Sequence, residues 1–369
     1  MSGKRAKVQV LVPQRIGFAR AVVSGVRKHA LISGKWKIIT GELLAYDRLP
    51  QADGTICLCG DPVLEQALLS QGTPVVNVSA RFAVSQLPRV VVDNQQVGRL
   101  AAQHLMERGY RRFGFAPIGD FFYSEQRYLG FLSALQEQGL GHSMVRLPAE
   151  GAEAVVRSIH QTPIGIMAAH DELGRRLIDE CIDAGLAVPE QVAVVAADND
   201  EYVCVGGDVG LTSVDTAGHQ VGFAAADLLA ALLEAKADVS REVVVPCGAV
   251  VGRQSTDCYA LDDREVAFAM AYIRDYACKP LGIDEILDHL TISRRTLEKR
   301  FRQAVGRSLH DEVRRQQIAR AKQLLRETDL PINDICHRAG FCDRIAFSRA
   351  FRASAGVSPS QYRASTPAK

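Results

Sequence analysis

Ten short apolar runs, most of them rich in Val and Ile, recur through the first 250 residues: VQVLVP (8–13), WKIIT (36–40), TICLCG (55–60), PVVNVS (74–79), RVVVD (89–93), FGFAPI (113–118), MVRLP (144–148), IGIMAAH (164–170), VAVVAAD (192–198) and VVVPCGAV (243–250). Amphipathic stretches, such as 95–108, 124–138 and 172–184, separate most of them. A strand with little polar alternation is buried on both faces. Such strands, separated by helices, form parallel sheets covered by helices on either side, with right-handed crossovers. One doubly wound sheet rarely uses so many strands, so this segment reads as two similar α/β lobes. Ligands of such sheets bind beyond the carboxyl ends of the strands, here in a cleft between lobes.

The pattern changes after Thr256. Residues 1–256 form the two-lobed segment, 257–264 (DCYALDDR) a short polar linker, and 265–369 an all-α domain without β-branched runs. Turns are expected at Lys279-Pro280-Leu281-Gly282, Gly306-Arg307-Ser308, Asp329-Leu330-Pro331 and Gly356-Val357-Ser358-Pro359. The net charge of +2 divides unevenly: residues 262–369 hold 20 Lys and Arg against 14 Asp and Glu, leaving the rest acidic by four. A basic end on an acidic body points to a polyanion partner for that end alone.

Within it one pattern occurs twice. In IDEILDHLTISRRTLEKRFRQAVG (283–306), a helix over about 284–290 ends in a turn, and Ser293 caps a second helix whose Leu297 and Phe301, spaced i, i+4, face inward. In INDICHRAGFCDRIAFSRAFRASAG (332–356), Ile335 and the Ala339-Gly340-Phe341 turn precede a helix with Phe347 and Phe351 at the same spacing. Gly340 stands where a tight turn calls for positive φ. A longer helix over 309–327 joins the copies. This is the arithmetic of two helix-turn-helix units, whose outer faces carry Arg and Lys toward guanine edges and phosphates of double-stranded DNA. Candidate contacts are Arg294, Arg295, Thr296, Lys299 and Arg302 in the first copy and Arg344, Ile345 and Arg349 in the second.

Residues 265–363 resemble the AraC family of transcription regulators, through these core hydrophobics, Gly340-Phe341 and the ending Gly356-Val-Ser-Pro-Ser-Gln-Tyr362. The resemblance puts base-reading positions on Arg295 and Lys299 in the first unit, and on Ile345 and Arg349 in the second. Ile345 cannot hydrogen-bond a base edge; it can only pack against a thymine methyl.

Residues 1–256 resemble the effector domain of lactose/galactose-type repressors and the ribose-binding proteins, through VVVDNQQVGRLAAQHLMERGYRRFGF (90–115) and GIMAAHDELGRRLIDECIDAGLAVPEQVAVVAADND (165–200). The helix-turn-helix that opens those repressors is missing, since about seven residues precede the first strand. The resemblance implies effector contacts at Arg127, at His170 and Asp171 (where the family has Asn-Asp), and at Asp198. A sugar needs charged groups for paired hydroxyls and an aromatic face for its C–H surface; Phe18, Phe121, Phe122 and Tyr123 are candidates for that face, and Arg20 for the polar set. Against these stand an Arg127–Asp198 structural pair, helix capping by His170 or Asp171, and aromatics that are simply core. Trp36 is expected to be structural.

The joining of these two domains resembles the xylose-responsive members of the AraC family, including the junction Gly252-Arg-Gln-Ser-Thr-Asp257. That implies D-xylose as effector, DNA as the second partner, a homodimer, and RNA polymerase as a partner if the chain activates. Another pentose, a hexose or a nucleoside as effector, or action as a repressor, is the competing reading. No GxxxxGK[ST], HExxH, GxSxG or strand-linked GxGxxG stretch occurs, so an enzyme is not expected. Neither a cofactor nor a metal is expected, the nine cysteines being scattered; Cys57 and Cys59 read as small buried thiols. No apolar run reaches the roughly 18 residues of a membrane span. MSGKRAKVQVLVPQ has too short an apolar part for a signal peptide, so a cytoplasmic protein is expected, which also argues against a solute-binding protein of a transport system.

Overall fold

The computed structural model describes residues 5–41, 51–148, 152–157, 159, 163–189, 191–235, 241–257, 263–279 and 281–365. Residues 258–262 of the expected linker, and Pro280 of the first expected turn, lie outside these. The chain divides into two units, Met1–Cys258 and Tyr259–Lys369.

The first unit holds strands β1 (Ala6–Leu11), β2 (Trp36–Gly41), β3 (Gly54–Cys57), β4 (Val75–Asn77), β5 (Arg89–Val92), β6 (Phe113–Ala116), β7 (Met144–Arg146), β8 (Ile164–Ala168), β9 (Val192–Ala197), β10 (Thr212–Val214), β11 (Glu242–Val245) and β12 (Val250–Val251). They form two six-stranded sheets, in the orders β11-β5-β4-β3-β1-β2 and β12-β10-β9-β8-β6-β7. Every pair is parallel except β10–β12. Strands β3, β5, β6, β8 and β9 are buried along their whole length, as expected of unbroken apolar runs between helical layers. Trp36 is buried, its ring 4.7 Å from that of His29.

Two departures from the expected strands matter. The run 243–250 is not one strand: it divides at Pro246 into β11 of the first sheet and β12 of the second. A proline lacks the N–H a ladder needs. Strand β10 was not expected, because Thr212 and Ser213 are polar; both are fully buried, with their hydroxyls hydrogen-bonded inside the lobe. The chain thus crosses between lobes at Asp93, at 215–217 and at 246–249. These crossings are tied together: Asp93 N donates to Val245 O (2.9 Å), Asp215 N to Ala249 O (3.1 Å) and Gly248 N to Asp215 O (2.8 Å).

In the second lobe, helices Asn94–Glu107 and Phe122–Glu137 cross in backbone contact. A Cβ on Gly98 would stand 2.0 Å from the Arg127 carbonyl oxygen, and one on Gly130 1.9 Å from that of Gln95. Only glycine fits either place.

The second unit, among described residues, is helical: Arg264–Tyr276, Ile283–Leu287, Arg294–Val305, Leu309–Glu327, Ile332–Arg338, Arg344–Ala355 and Pro359–Ser365. One core gathers Ile273, Ile286, Leu297, Phe301 and Leu309; another gathers Ile318, Leu324, Ile335, Phe347 and Phe351. The helix Leu309–Glu327 serves both. On it, the fully buried Glu312 accepts from Arg307 Nε (2.6 Å), Arg315 Nε (2.9 Å) and Gln316 Nε2 (2.9 Å). Burial alone would raise its carboxyl, but hydrogen bonds and charge from Arg315 and Arg307 hold it below the usual range. Buried Gln317 donates through Nε2 to Ala277 O (3.1 Å) and Gly340 O (2.9 Å), pinning the first half of the unit to the turn of the second. Gly340 has φ +86°, and a Cβ there would lie 2.3 Å from Ala277 O.

Candidate ligand and DNA sites

A cleft of about 810 Å³ opens beyond the carboxyl ends of the strands, lined from the first lobe by residues including Arg15, Phe18, Asp61 and Arg81, and from the second by Asn94, Phe121, Tyr123, Arg127 and Asp198. Helix Phe122–Glu137 presents Tyr123 and Arg127 one turn apart. Arg127 is buried: Nε donates to Asn94 Oδ1 (2.9 Å), Nη1 to Ala169 O, and Nη2 to Asp198 Oδ1 (3.2 Å). The Tyr123 ring lies 5.1 Å from its guanidinium, and burial pushes the phenol up to about 12, so it remains a neutral donor.

Asp198 directly follows β9 at φ +120°, a conformation that costs a side-chain-bearing residue on the order of 1–3 kcal/mol and is held by its surroundings. Its Oδ1 also accepts from Thr216 Oγ1 (3.3 Å). Among the described residues no hydrogen bond reaches Oδ2. Burial raises its carboxyl while Arg127 opposes the rise. The result is a guanidinium–carboxylate pair with an acceptor oxygen to spare, beside aromatic rings. That suits a small polyhydroxylated ligand.

The other residues expected here stand elsewhere. Arg20 is committed to Asp200, with Nη2 at 2.7 Å from both carboxylate oxygens, and with Nη1 on the Gln14 (2.8 Å) and Arg15 (3.0 Å) carbonyls. This pair joins the first lobe to the second. Phe122 does not line the cleft, because the helix starts with its neighbours turned inward; its N–H meets Arg81 O at 2.9 Å and that of Tyr123 meets Ala80 O at 3.0 Å, again across lobes. His170 caps helix Asp171–Asp183, Nδ1 accepting from Leu173 N at 3.0 Å; burial holds its imidazole down at about 4, hence neutral. Asp171 is nearly inaccessible, accepting from Asp200 N (2.7 Å) and Ser213 Oγ (2.5 Å), and burial with the Asp198 charge raises it to about 7. Both serve the strand-end loops rather than the cleft. Phe18, Arg127 and Asp198 do line it. Sequence reasoning left out Asn94, Arg15 and Arg81; Asn94 lies in the stretch 90–115 that carries the resemblance, while nothing in the chain marked the two arginines. The Arg81 guanidinium lies 4.2 Å from the Phe121 ring.

In the second unit, Ser293 caps helix Arg294–Val305 through the Thr296 N–H (3.3 Å), and Asp343 caps helix Arg344–Ala355. Arg295, Lys299 and Arg302 are exposed and, among the described residues, free of ion pairs; they line a groove of about 660 Å³ with His310 and Ser308. Arg294 differs, being held by Glu298 (3.0 Å) and Asp284 (3.5 Å). Thr296 is turned toward Ser293, hydroxyl to hydroxyl at 2.8 Å. Arg344, Ile345 and Arg349 are exposed on the second recognition helix; Ile345 is 78% exposed, where burial would be normal for its type.

A cleft between two α/β lobes, joined to paired helix-turn-helix units, defines a ligand-responsive transcription regulator with an AraC-type DNA-binding end. The family models agree: residues 102–256 match a periplasmic binding protein-like domain and 286–365 a helix-turn-helix domain. The chain is 30% identical to the xylose operon regulatory protein of Escherichia coli K12, over 98% of each, and 28% identical to that of Haemophilus influenzae, over 98% of this chain and 99% of the other. A solved xylose-binding transcription activator superposes over 100% of both chains, with a TM-score of 0.64 and 28% identity. The chain belongs to the family of the xylose operon regulatory proteins. These relatives are named as regulatory proteins. No described helix is long and apolar enough to cross a membrane.

Proposed function

We propose that the protein is a D-xylose-dependent activator of pentose catabolic genes, acting in the cytoplasm as a homodimer joined through the first lobe and recruiting RNA polymerase when bound to its promoter. The carrying observation is the Arg127–Asp198 pair, with Asp198 Oδ2 unengaged among the described residues, in an aromatic-lined cleft, on a chain with two helix-turn-helix units. Asp198 Oδ2 and the outer edge of Arg127 take adjacent hydroxyls, and a ring of Phe18, Phe121 or Tyr123 takes the sugar's C–H face.

Sugar binding favours one arrangement of the dimer in which four helix-turn-helix units engage DNA together. Moving that balance from 1:99 to 99:1 takes about 5.5 kcal/mol of preference by the ligand. Calorimetric titration of the full chain with D-xylose, L-arabinose, D-ribose, D-glucose and a nucleoside tests the reading; tightest binding by a hexose or the nucleoside replaces the xylose assignment. Sedimentation of the chain with and without sugar tests the dimer.

A further inference from the structure

The chain leaves the first unit through Gly252–Asp257, and the second lobe grips this segment through several side-chain bonds. Thr256 and Ser255 are fully buried. Ser255 Oγ donates to Val194 O (2.6 Å) and accepts from Thr212 N (2.9 Å). Thr256 Oγ1 meets His104 Nε2 and Thr212 Oγ1, each at 2.8 Å, while its carbonyl accepts from Arg108 Nε at 2.6 Å. Arg253 donates through Nη1 to Leu211 O (2.9 Å) and through Nη2 to Asn199 Oδ1 (2.8 Å).

Two of these grips lead straight to the cleft. His104 stands near the end of the helix Asn94–Glu107, whose first residue, Asn94, holds Arg127 Nε. Ten helical steps separate them, about 15 Å of stiff rod. That rod is locked at Gly98 and Gly130 against the helix carrying Arg127 and Tyr123. Asn199, the partner of Arg253, follows Asp198 directly, and both have positive φ, at +51° and +120°. A ligand that draws on Asp198 or Arg127 therefore pulls on backbone and helix that end at Arg253 and Thr256.

We infer that Arg253 and Thr256 are the positioning residues through which an occupied cleft acts on the DNA-binding unit. This rests on the reading of the chain as a sugar-responsive regulator. Neither residue lines the cleft, so their loss separates response from binding.

The test uses the full-length chain with Thr256→Val, Thr256→Ser and Arg253→Met. Sugar affinity is read by calorimetry with D-xylose, or with whichever sugar of the titration panel the wild type binds. Promoter affinity is read by fluorescence anisotropy with and without that sugar. Thr256→Val and Arg253→Met are expected to keep sugar affinity within threefold and sugar-free promoter affinity unchanged, while the sugar-induced change in promoter affinity shrinks at least fivefold. Thr256→Ser, which keeps the hydroxyl, restores it. A wild-type response in both Thr256→Val and Arg253→Met overturns the inference, as does a loss of response that tracks loss of sugar affinity. Failure of D-xylose to bind the wild type is instead a failure of the xylose reading.

Discussion

The Arg20–Asp200 pair makes a quantitative prediction about the cleft. Arg20 sits on the first helix of the first lobe, Asp200 at the start of a short helix in the second. Arg20 is one-third exposed and Asp200 7% exposed, so the pair is neither a surface pair worth under about 1 kcal/mol nor a dry one. Charge-assisted bonding to both carboxylate oxygens at 2.7 Å supports about 1.5–2 kcal/mol of coupling. Arg20→Met keeps the aliphatic stem and removes the charge; Asp200→Asn keeps a cap for the Tyr202 N–H. A double-mutant cycle with both, read by urea denaturation, is expected to return that coupling. Because the bond exists only with the lobes together, the same substitution weakens sugar binding about 10- to 30-fold, each 1.4 kcal/mol being tenfold. A coupling below 0.5 kcal/mol (on the order of an ordinary surface pair), or an unchanged sugar affinity in Arg20→Met, would refute the reasoning.

Three further outcomes are expected. Arg295→Ala weakens specific promoter binding by about 1–3 kcal/mol and relaxes selectivity at one base pair; an equal loss on every sequence makes it a phosphate contact. Glu312→Ala leaves two guanidiniums facing a fully buried void and lowers unfolding free energy by about 2–3 kcal/mol in urea, discounted because Arg307 and Arg315 are about one-third exposed. His170, neutral down to about 4 when folded, binds protons more readily unfolded, so stability is lost as pH falls from 6.5 toward 4. His170→Asn keeps a capping side chain and removes that loss, at most about 3 kcal/mol, so its melting temperature is expected to fall less than that of the wild type across that window.

Much of this was legible because it is periodic. The apolar runs carry their own burial, and Leu297 with Phe301, and Phe347 with Phe351, announce inward faces by spacing alone. What escaped depends on partners distant in sequence. Arg20 looked like a site residue until Asp200, 180 positions away, took it. Thr212 and Ser213 hid a central strand, since a polar strand is buried only where other parts of the chain accept its hydroxyls. Phe121, Phe122 and Tyr123 stood as equal candidates, because nothing local reveals how a helix is rotated at its first turn.

One buried amide carries a consequence for the DNA. Gln317 binds the Ala277 and Gly340 carbonyls at once, from the helix shared by both cores, so the spacing of the two recognition helices is set within the protein. If both recognition helices enter one duplex, their fixed separation leaves the adjustment to the DNA, by bending or kinking. Flexible pyrimidine–purine steps between the two contacted grooves lower that cost, and stiff A-tracts raise it. Base pairs that no side chain reaches would then enter the choice of promoter, and the mechanics of the DNA between would supplement a second helix whose front carries the exposed Ile345.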